Sequence, residues 1–185
     1  MKKIACLLAN GFEETEALET VDILRRAGLH VDIISIHEKI VTGSHGIQVV
    51  ADMLLLDNFN EYDMIFLPGG QPGANNLMAN DIVISAILAF DKEKKWLAAI
   101  CAAPLVLDHA GVINNRKVTS HPSVAEGAFK NSTYLEREVV VDDHIITSRG
   151  VGTVAAFAFS IVELFGIDSK PLQDAMVFST YHQMP

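Results

Sequence analysis

Four stretches of this sequence place small or polar residues where an apolar run stops: Asn10-Gly11-Phe12-Glu13-Glu14-Thr15-Glu16, Pro68-Gly69-Gly70, Ala99-Ile100-Cys101-Ala102-Ala103-Pro104 and Thr119-Ser120-His121-Pro122. The third can supply a nucleophile. A strand that runs into a helix through one cysteine flanked by alanines needs a sharp turn that only small neighbours permit, the constraint that surrounds the serine of a hydrolase elbow with glycine. A thiol so placed faces unpaired N–H groups at a helix N-terminus, which favour the reactive thiolate. Cys6, in mid-run between apolar neighbours, reads instead as core packing.

The other stretches can surround that thiol with polar groups. Gly69-Gly70 lets the backbone turn an N–H inward and, with the N–H of Ala102, form an oxyanion hole, although Pro-Gly-Gly is equally an ordinary turn signal. Glu13, Glu14 and Glu16 offer acids for proton transfer or, more plainly, complements to a helix dipole. Helical angle does not choose among them: Glu13 and Glu14 lie nearer the Ala17, Val21, Leu24 stripe, and Glu16 sits on its flank with Thr20 and Ile23. His121 is the candidate proton carrier. His30, His37, His109, His144 and His182 read as surface or satisfied core, and no histidine pair shows the spacing of a metal-binding helix. Gly150-Val151-Gly152-Thr153-Val154-Ala155 matches a dinucleotide fingerprint only nominally, because a helix and a tail follow it where a strand with an acidic end is required.

Elements of two periodicities must position these residues. Residues 4–9 are a continuous apolar run, as a strand buried on both faces should be. Residues 15–27 carry a helical stripe with Arg25 and Arg26 near its end and Gly28 as its stop. Strands are expected over 30–36, 63–67, 96–100 and 117–120, and a hairpin over 40–51, broken by Gly43-Ser44-His45-Gly46. Helices are expected over 81–93, 102–110 and 154–165, and a second hairpin joins 139–141 to 145–148 through Asp142-Asp143. Alternation of this kind predicts an α/β fold with a mostly parallel sheet and helices on both faces. Ligands of such sheets bind outside the carboxyl ends of the strands.

With 185 residues, 50% hydrophobic and 20% charged, the chain has the size and composition of a single globular domain spanning residues 1–185. Its 23 acidic against 14 basic side chains give a net charge of −9, with no electrostatic footprint for nucleic acid or an anionic membrane surface. Two cysteines far apart form neither a disulfide framework nor a metal motif and fit a reducing compartment. Met1-Lys2-Lys3 imitates a signal peptide, but the six apolar residues behind it fall short of the roughly seven to fifteen required, so a cytoplasmic location is expected.

Taken together, these strings resemble the ThiJ/PfpI superfamily, in its parkinsonism-associated (DJ-one) branch, over essentially the whole chain. Asp63-Met64-Ile65-Phe66-Leu67-Pro68-Gly69-Gly70, Gly73-Ala74-Asn75-Asn76-Leu77 and Thr147-Ser148-Arg149-Gly150-Val151-Gly152-Thr153 extend the match. The resemblance implies a flavodoxin-like three-layer sandwich, a homodimer, and a site in which Cys101 is the nucleophile and Glu16 a carboxylic acid hydrogen-bonded to its sulfur. It further implies oxyanion N–H groups from Gly70 and Ala102, with His121 nearby and Gly69, Arg149 and His45 as substrate-binding positions. His45 stands where some relatives carry an arginine, and Ala102 where the protease-like branch has histidine, which argues against a peptidase.

The function so implied is a cysteine-dependent glyoxalase III-type or deglycase enzyme, acting without metal or organic cofactor on methylglyoxal, glyoxal or their early adducts with amines. The alternative is an oxidative-stress sensor or redox-regulated chaperone working through oxidation of Cys101. A peptidase would need His121 to orient Cys101. Nothing in these residues supports a thiamine-pathway role.

Overall fold

The computed structural model describes residues 1–178, so His182 lies outside the described residues. Strand β1 (Lys3–Leu8) is buried from Ile4 onward, and successive side chains enter opposite cores: Ala5 and Leu7 one, Ile4, Cys6 and Leu8 the other. Burial on both faces is why its run is continuously apolar rather than alternating. The next parallel strands, β2 (His30–Ser35), β6 (Met64–Leu67), β7 (Trp96–Ile100) and β11 (Ile145–Ser148), repeat the pattern. Short β5 (Met53–Leu54) and antiparallel β10 (Val139–Asp142) close the edges, giving the order β10-β11-β7-β6-β1-β2-β5. Without its two edges that order is the 2-1-3-4-5 winding of the flavodoxin-like fold.

Helices cover both faces. α1 (Glu14–Arg26) and α6 (Val154–Leu164) bury Ala17, Val21, Ile23 and Leu24 and Phe157, Ile161 and Val162 against one side of the sheet. α2 (Gly73–Met78), α3 (Asp81–Glu93) and α4 (Pro104–His109) bury Leu77, Val83, Ile87, Phe90, Val106 and Leu107 against the other. The chain therefore leaves β1 toward one face and β6 toward the other, and the crevice between these adjacent strands is the topological switch point. Among the described residues no helix is long and apolar enough to cross a membrane.

The hairpin expected over 40–51 forms as β3 (Ile40–Thr42) and β4 (Gln48–Val50), outside the central sheet. Two expected elements are shorter than their sequence pattern. The helix placed over 102–110 starts at Pro104, where the missing N–H is harmless, and Cys101 to Ala103 form the turn before it. The strand placed over 117–120 stops at Val118: β8 (Lys117–Val118) pairs with β9 (Thr133–Tyr134) in a separate two-stranded sheet, and the N–H of Thr119 turns to Thr147 Oγ1. α5 (Pro122–Ala125), α7 (Lys170–Ala175), β5, β9 and α2 are too short to establish a period in the sequence.

Phe157 is fully buried, its ring centroid 5.7 Å from that of Phe66 across the helix–sheet interface. Phe157→Ala is expected to lower unfolding stability by about 3–5 kcal/mol, read from the shift of the urea midpoint.

Candidate active site

Glu13, Glu16, Gly69 and Cys101 meet at the carboxyl ends of β1, β6 and β7. Glu13 is the N-cap of α1, and its Oε2 accepts the N–H of Glu16 at 2.7 Å. In a reciprocal capping box Glu16, three residues on, would reach back to the N–H of Glu13. Here the carbonyl of Gly69 takes that N–H, at 2.9 Å. The Glu16 carboxyl is thereby released from the cap, and its Oε2 accepts the N–H of Gly69 at 2.9 Å. Three hydrogen bonds close a ring through Glu13, Glu16 and Gly69. The other oxygen, Oε1, is buried without an N–H or O–H donor and couples to the thiol of Cys101. A methyl group on Gly69 would stand 2.6 Å from both Cys101 Cβ and Glu16 Oε2, so only glycine admits this approach.

Cys101 has φ 63°, a left-handed conformation rare outside glycine and asparagine. Its N–H donates to the carbonyl of Ser148 at 3.0 Å and its carbonyl accepts from the N–H of His121 at 2.9 Å, which hold the turn in place. The N–H groups of Gly70 and Ala102 are directed at its sulfur. Gly70 does so from φ 88°, where a Cβ would collide with the N of Glu13.

Burial pushes the Glu16 carboxyl up to about 7; the negative charge of Glu13 adds to this, and the hydrogen bonds from Cys101 and Gly69 oppose it. Burial, followed by the charge of Glu16, pushes the Cys101 thiol up to about 12, and the N–H groups of Gly70 and Ala102 pull it back. This corrects the expectation of a thiolate favoured by a helix N-terminus. The helix begins three residues later, and the nearest charge is a carboxylate. The pair thus gives up a first proton near 7 and holds the second.

The crevice above the sulfur, about 370 Å³, is lined by Glu13, Glu16, Cys101, His121, Arg149 and the 150–153 turn. Gly150, Val151 and Thr153, which lie in a string of the family match without a site role expected of them, line the crevice as well. Gly150 leaves room there, since a Cβ on it would lie 3.3 Å from His121 Cδ2 and 3.9 Å from Sγ. His121 is near the thiol but not paired with it. Its Nδ1 lies 2.7 Å from Ser123 Oγ and caps α5 through the N–H of Ser123, leaving Nε2 for the crevice. The nucleophile–base hydrogen bond of a cysteine peptidase is therefore not formed among the described residues.

His45 is not part of the lining. It turns to the buried carboxylate of Glu14, which accepts its N–H at 2.7 Å, meets its Nδ1 at 2.9 Å, and accepts the Ser44 hydroxyl at 3.2 Å. Burial would raise Glu14, but these bonds hold it at about 2, and the same contact raises His45. Glu13, Glu14 and His45 bring ligand-type atoms within 4.8 Å of one another. Both Glu14 oxygens and one Glu13 oxygen are committed to hydrogen bonds, so the cluster ties the β3–β4 hairpin to α1. A second cleft, about 340 Å³ between α3 and the loop before β6, is lined by no cysteine or histidine.

Residues 2–164 match the family described as DJ-1/PfpI. The chain is 36% identical over 169 residues to "Protein DJ-1 homolog B" of Arabidopsis thaliana, covering 90% of this chain but 38% of that protein. It thus spans about two fifths of the length of that plant relative. To "Glutathione-independent glyoxalase DJ-1" of Schizosaccharomyces pombe it is 31% identical over 177 residues, covering 88% of this chain and 91% of the yeast protein. Among solved structures, oxidized Toxoplasma gondii DJ-1 superposes with a TM-score of 0.91 at 31% identity, covering 96% of this chain and 99% of that one.

A carboxyl held at about 7 in the fold, against 4.5 ordinarily, binds its proton more tightly folded than unfolded. It therefore withdraws stability as pH rises from about 4.5 to 7. Glu16→Gln is expected to gain stability over the parent on moving from pH 5 to pH 8, on the order of 3 kcal/mol, measured by chemical denaturation at both values.

Proposed function

From the premise that this chain belongs to the DJ-1/PfpI family, we propose that it is a glutathione-independent glyoxalase acting on methylglyoxal and similar 2-oxoaldehydes, with Cys101 as nucleophile and Glu16 as proton carrier. The observation that carries this reading is the turn at Cys101: a nucleophile elbow that sets the sulfur beneath two N–H groups and beside a hydrogen-bonded carboxyl. The yeast relative bears the name of this activity.

Glu16 accepts the thiol proton as sulfur attacks the aldehyde carbon, and the resulting oxyanion is held by the N–H groups of Gly70 and Ala102 until it is protonated to a hemithioacetal. Glu16 then removes the proton on C1 and returns it to C2 through an enediol. C1 is oxidised to a thioester while C2 is reduced to an alcohol, so no external oxidant enters. Water, admitted by the open crevice beside His121, cleaves the thioester to lactate and restores the thiol. Arg149 lines the same crevice, a cation available to a product carboxylate. A carboxyl near 7 suits both directions of proton transfer at neutral pH. On an early amine adduct Cys101 would instead displace the amine from the hemiaminal carbon, the amine leaving with a proton from Glu16, to give the same hemithioacetal.

Cys101→Ser is expected to abolish lactate formation from methylglyoxal, and Glu16→Gln to lower kcat/KM by about 100- to 10,000-fold. In the parent kcat/KM should rise with pH through about 7 as the pair loses its first proton. Lactate formation by the serine variant at the parental rate would overturn the assignment.

A redox role through the same thiol is the second reading, favoured by accessibility: Cys101 is half-buried whereas Cys6 is 0% exposed and burial pushes its thiol far up. Mild peroxide is expected to add two oxygens at Cys101 and none at Cys6, as mapped by peptide mass spectrometry. Equal oxidation of both removes this reading.

A further inference from the structure

We propose that Glu13 is a positioning residue for the reaction: it diverts Glu16 from the helix cap toward Cys101, and it sets a second carboxylate beside the Glu16 carboxyl. The proposal rests on the assignment of Cys101 and Glu16 as the reacting pair and adds the residue that sets their proton balance.

The geometry is specific. Glu13 is engaged at both ends of one residue, its N–H on the carbonyl of Gly69 at 2.9 Å and its Oε2 on the N–H of Glu16 at 2.7 Å. The first bond removes the donor that Glu16 would otherwise seek, and the second fixes the backbone from which the Glu16 carboxyl projects. An N-cap needs only one acceptor oxygen, and serine, threonine, aspartate or asparagine supplies it better than glutamate does. The longer side chain does something a short cap does not: it lines the crevice with a buried charge beside a second buried carboxyl. Two carboxyls placed side by side resist ionising together. Accordingly the Glu13 charge raises Glu16 in addition to burial.

The other charged or titratable groups around Glu16 do not replace this one. Cys101 faces it from the β7–α4 turn, His121 from the start of α5, and Arg149 from the turn after β11. Glu14 turns away to the hairpin. His45 stands 3.9 Å from Glu13 Oε1 and is exposed, so its charge tempers that of Glu13 from solvent. Without the Glu13 charge, Glu16 would surrender its proton at lower pH, and at neutrality the sulfur would lie beside a full carboxylate.

The test uses the full chain and two readings that do not require turnover: the carbon-13 NMR titration of the Glu13 and Glu16 carboxyls, and the pH dependence of Cys101 alkylation by iodoacetamide. Glu13→Gln retains a cap acceptor and removes the charge; it is expected to move the Glu16 midpoint and the first alkylation limb to lower pH by about half a unit to one unit. Glu13→Asp, which keeps the charge, should restore most of that shift. If both variants alter the melting temperature while the midpoint stays in place, Glu13 is only a cap and the proposal falls. In the parent protein alone, Glu13 must be anionic throughout the range in which Glu16 titrates; the reverse order overturns it even if neither variant folds. A shifted alkylation limb in a protein that never consumes methylglyoxal would retain this role for Glu13 and remove the glyoxalase reading.

Discussion

The site depends on one residue's backbone being gripped from two directions. Gly69, at the end of β6, gives its carbonyl to Glu13 and its N–H to Glu16, both on the first turn of α1. Parallel pairing of β1 with β6 brings those groups to the same height. The absence of a side chain on Gly69 lets Cys101 and Glu16 come up against it. A buried carboxyl is costly unless hydrogen-bonded, and this ring offsets the cost for one oxygen of Glu16. The other oxygen is left to the thiol, which turns a structural expense into a chemical property.

The two cysteines illustrate how position decides reactivity. Cys6 sits in mid-strand, wholly enclosed, and its sulfur has only apolar packing to do. Cys101 sits one residue past its strand, in a left-handed turn that only small flanking residues tolerate. There its sulfur emerges at the floor of a crevice beneath two N–H groups. The helix dipole does not set the state of this thiol. Its neighbour is a carboxyl pushed up to about 7, against about 12 for the thiol, a base poised beside a protonated sulfur.

The hairpin of β3 and β4 shows a similar economy. Its turn residues Ser44 and His45 satisfy the buried carboxylate of Glu14, and the N–H of Ser44 satisfies the carbonyl of Phe12. Three acidic residues within four positions therefore have three destinations: Glu13 to the cap and crevice, Glu14 to the hairpin, Glu16 to the thiol. Helical periodicity could not separate them because all three are buried, and the buried face of α1 is wide enough to include Thr20 and Ile23 as well as the Ala17, Val21, Leu24 stripe.

Fold class, strand ends and the contrast between the two cysteines were legible in the sequence, because continuous apolar runs, helix stops and small residues at a strand-to-helix junction are local consequences of burial and backbone sterics. The choice of Glu16 came from the family resemblance alone. The diversion of Glu16 from its cap and the turning of His45 to Glu14 were decided only by tertiary structure. Each sets a local partner against one more than thirty residues away, and hydrogen-bond competition of that kind leaves no period in a sequence. The sulfur's proton affinity belongs to the same class. It is set by what burial and neighbouring charge do to a coupled pair, and those exist only once the strands are side by side.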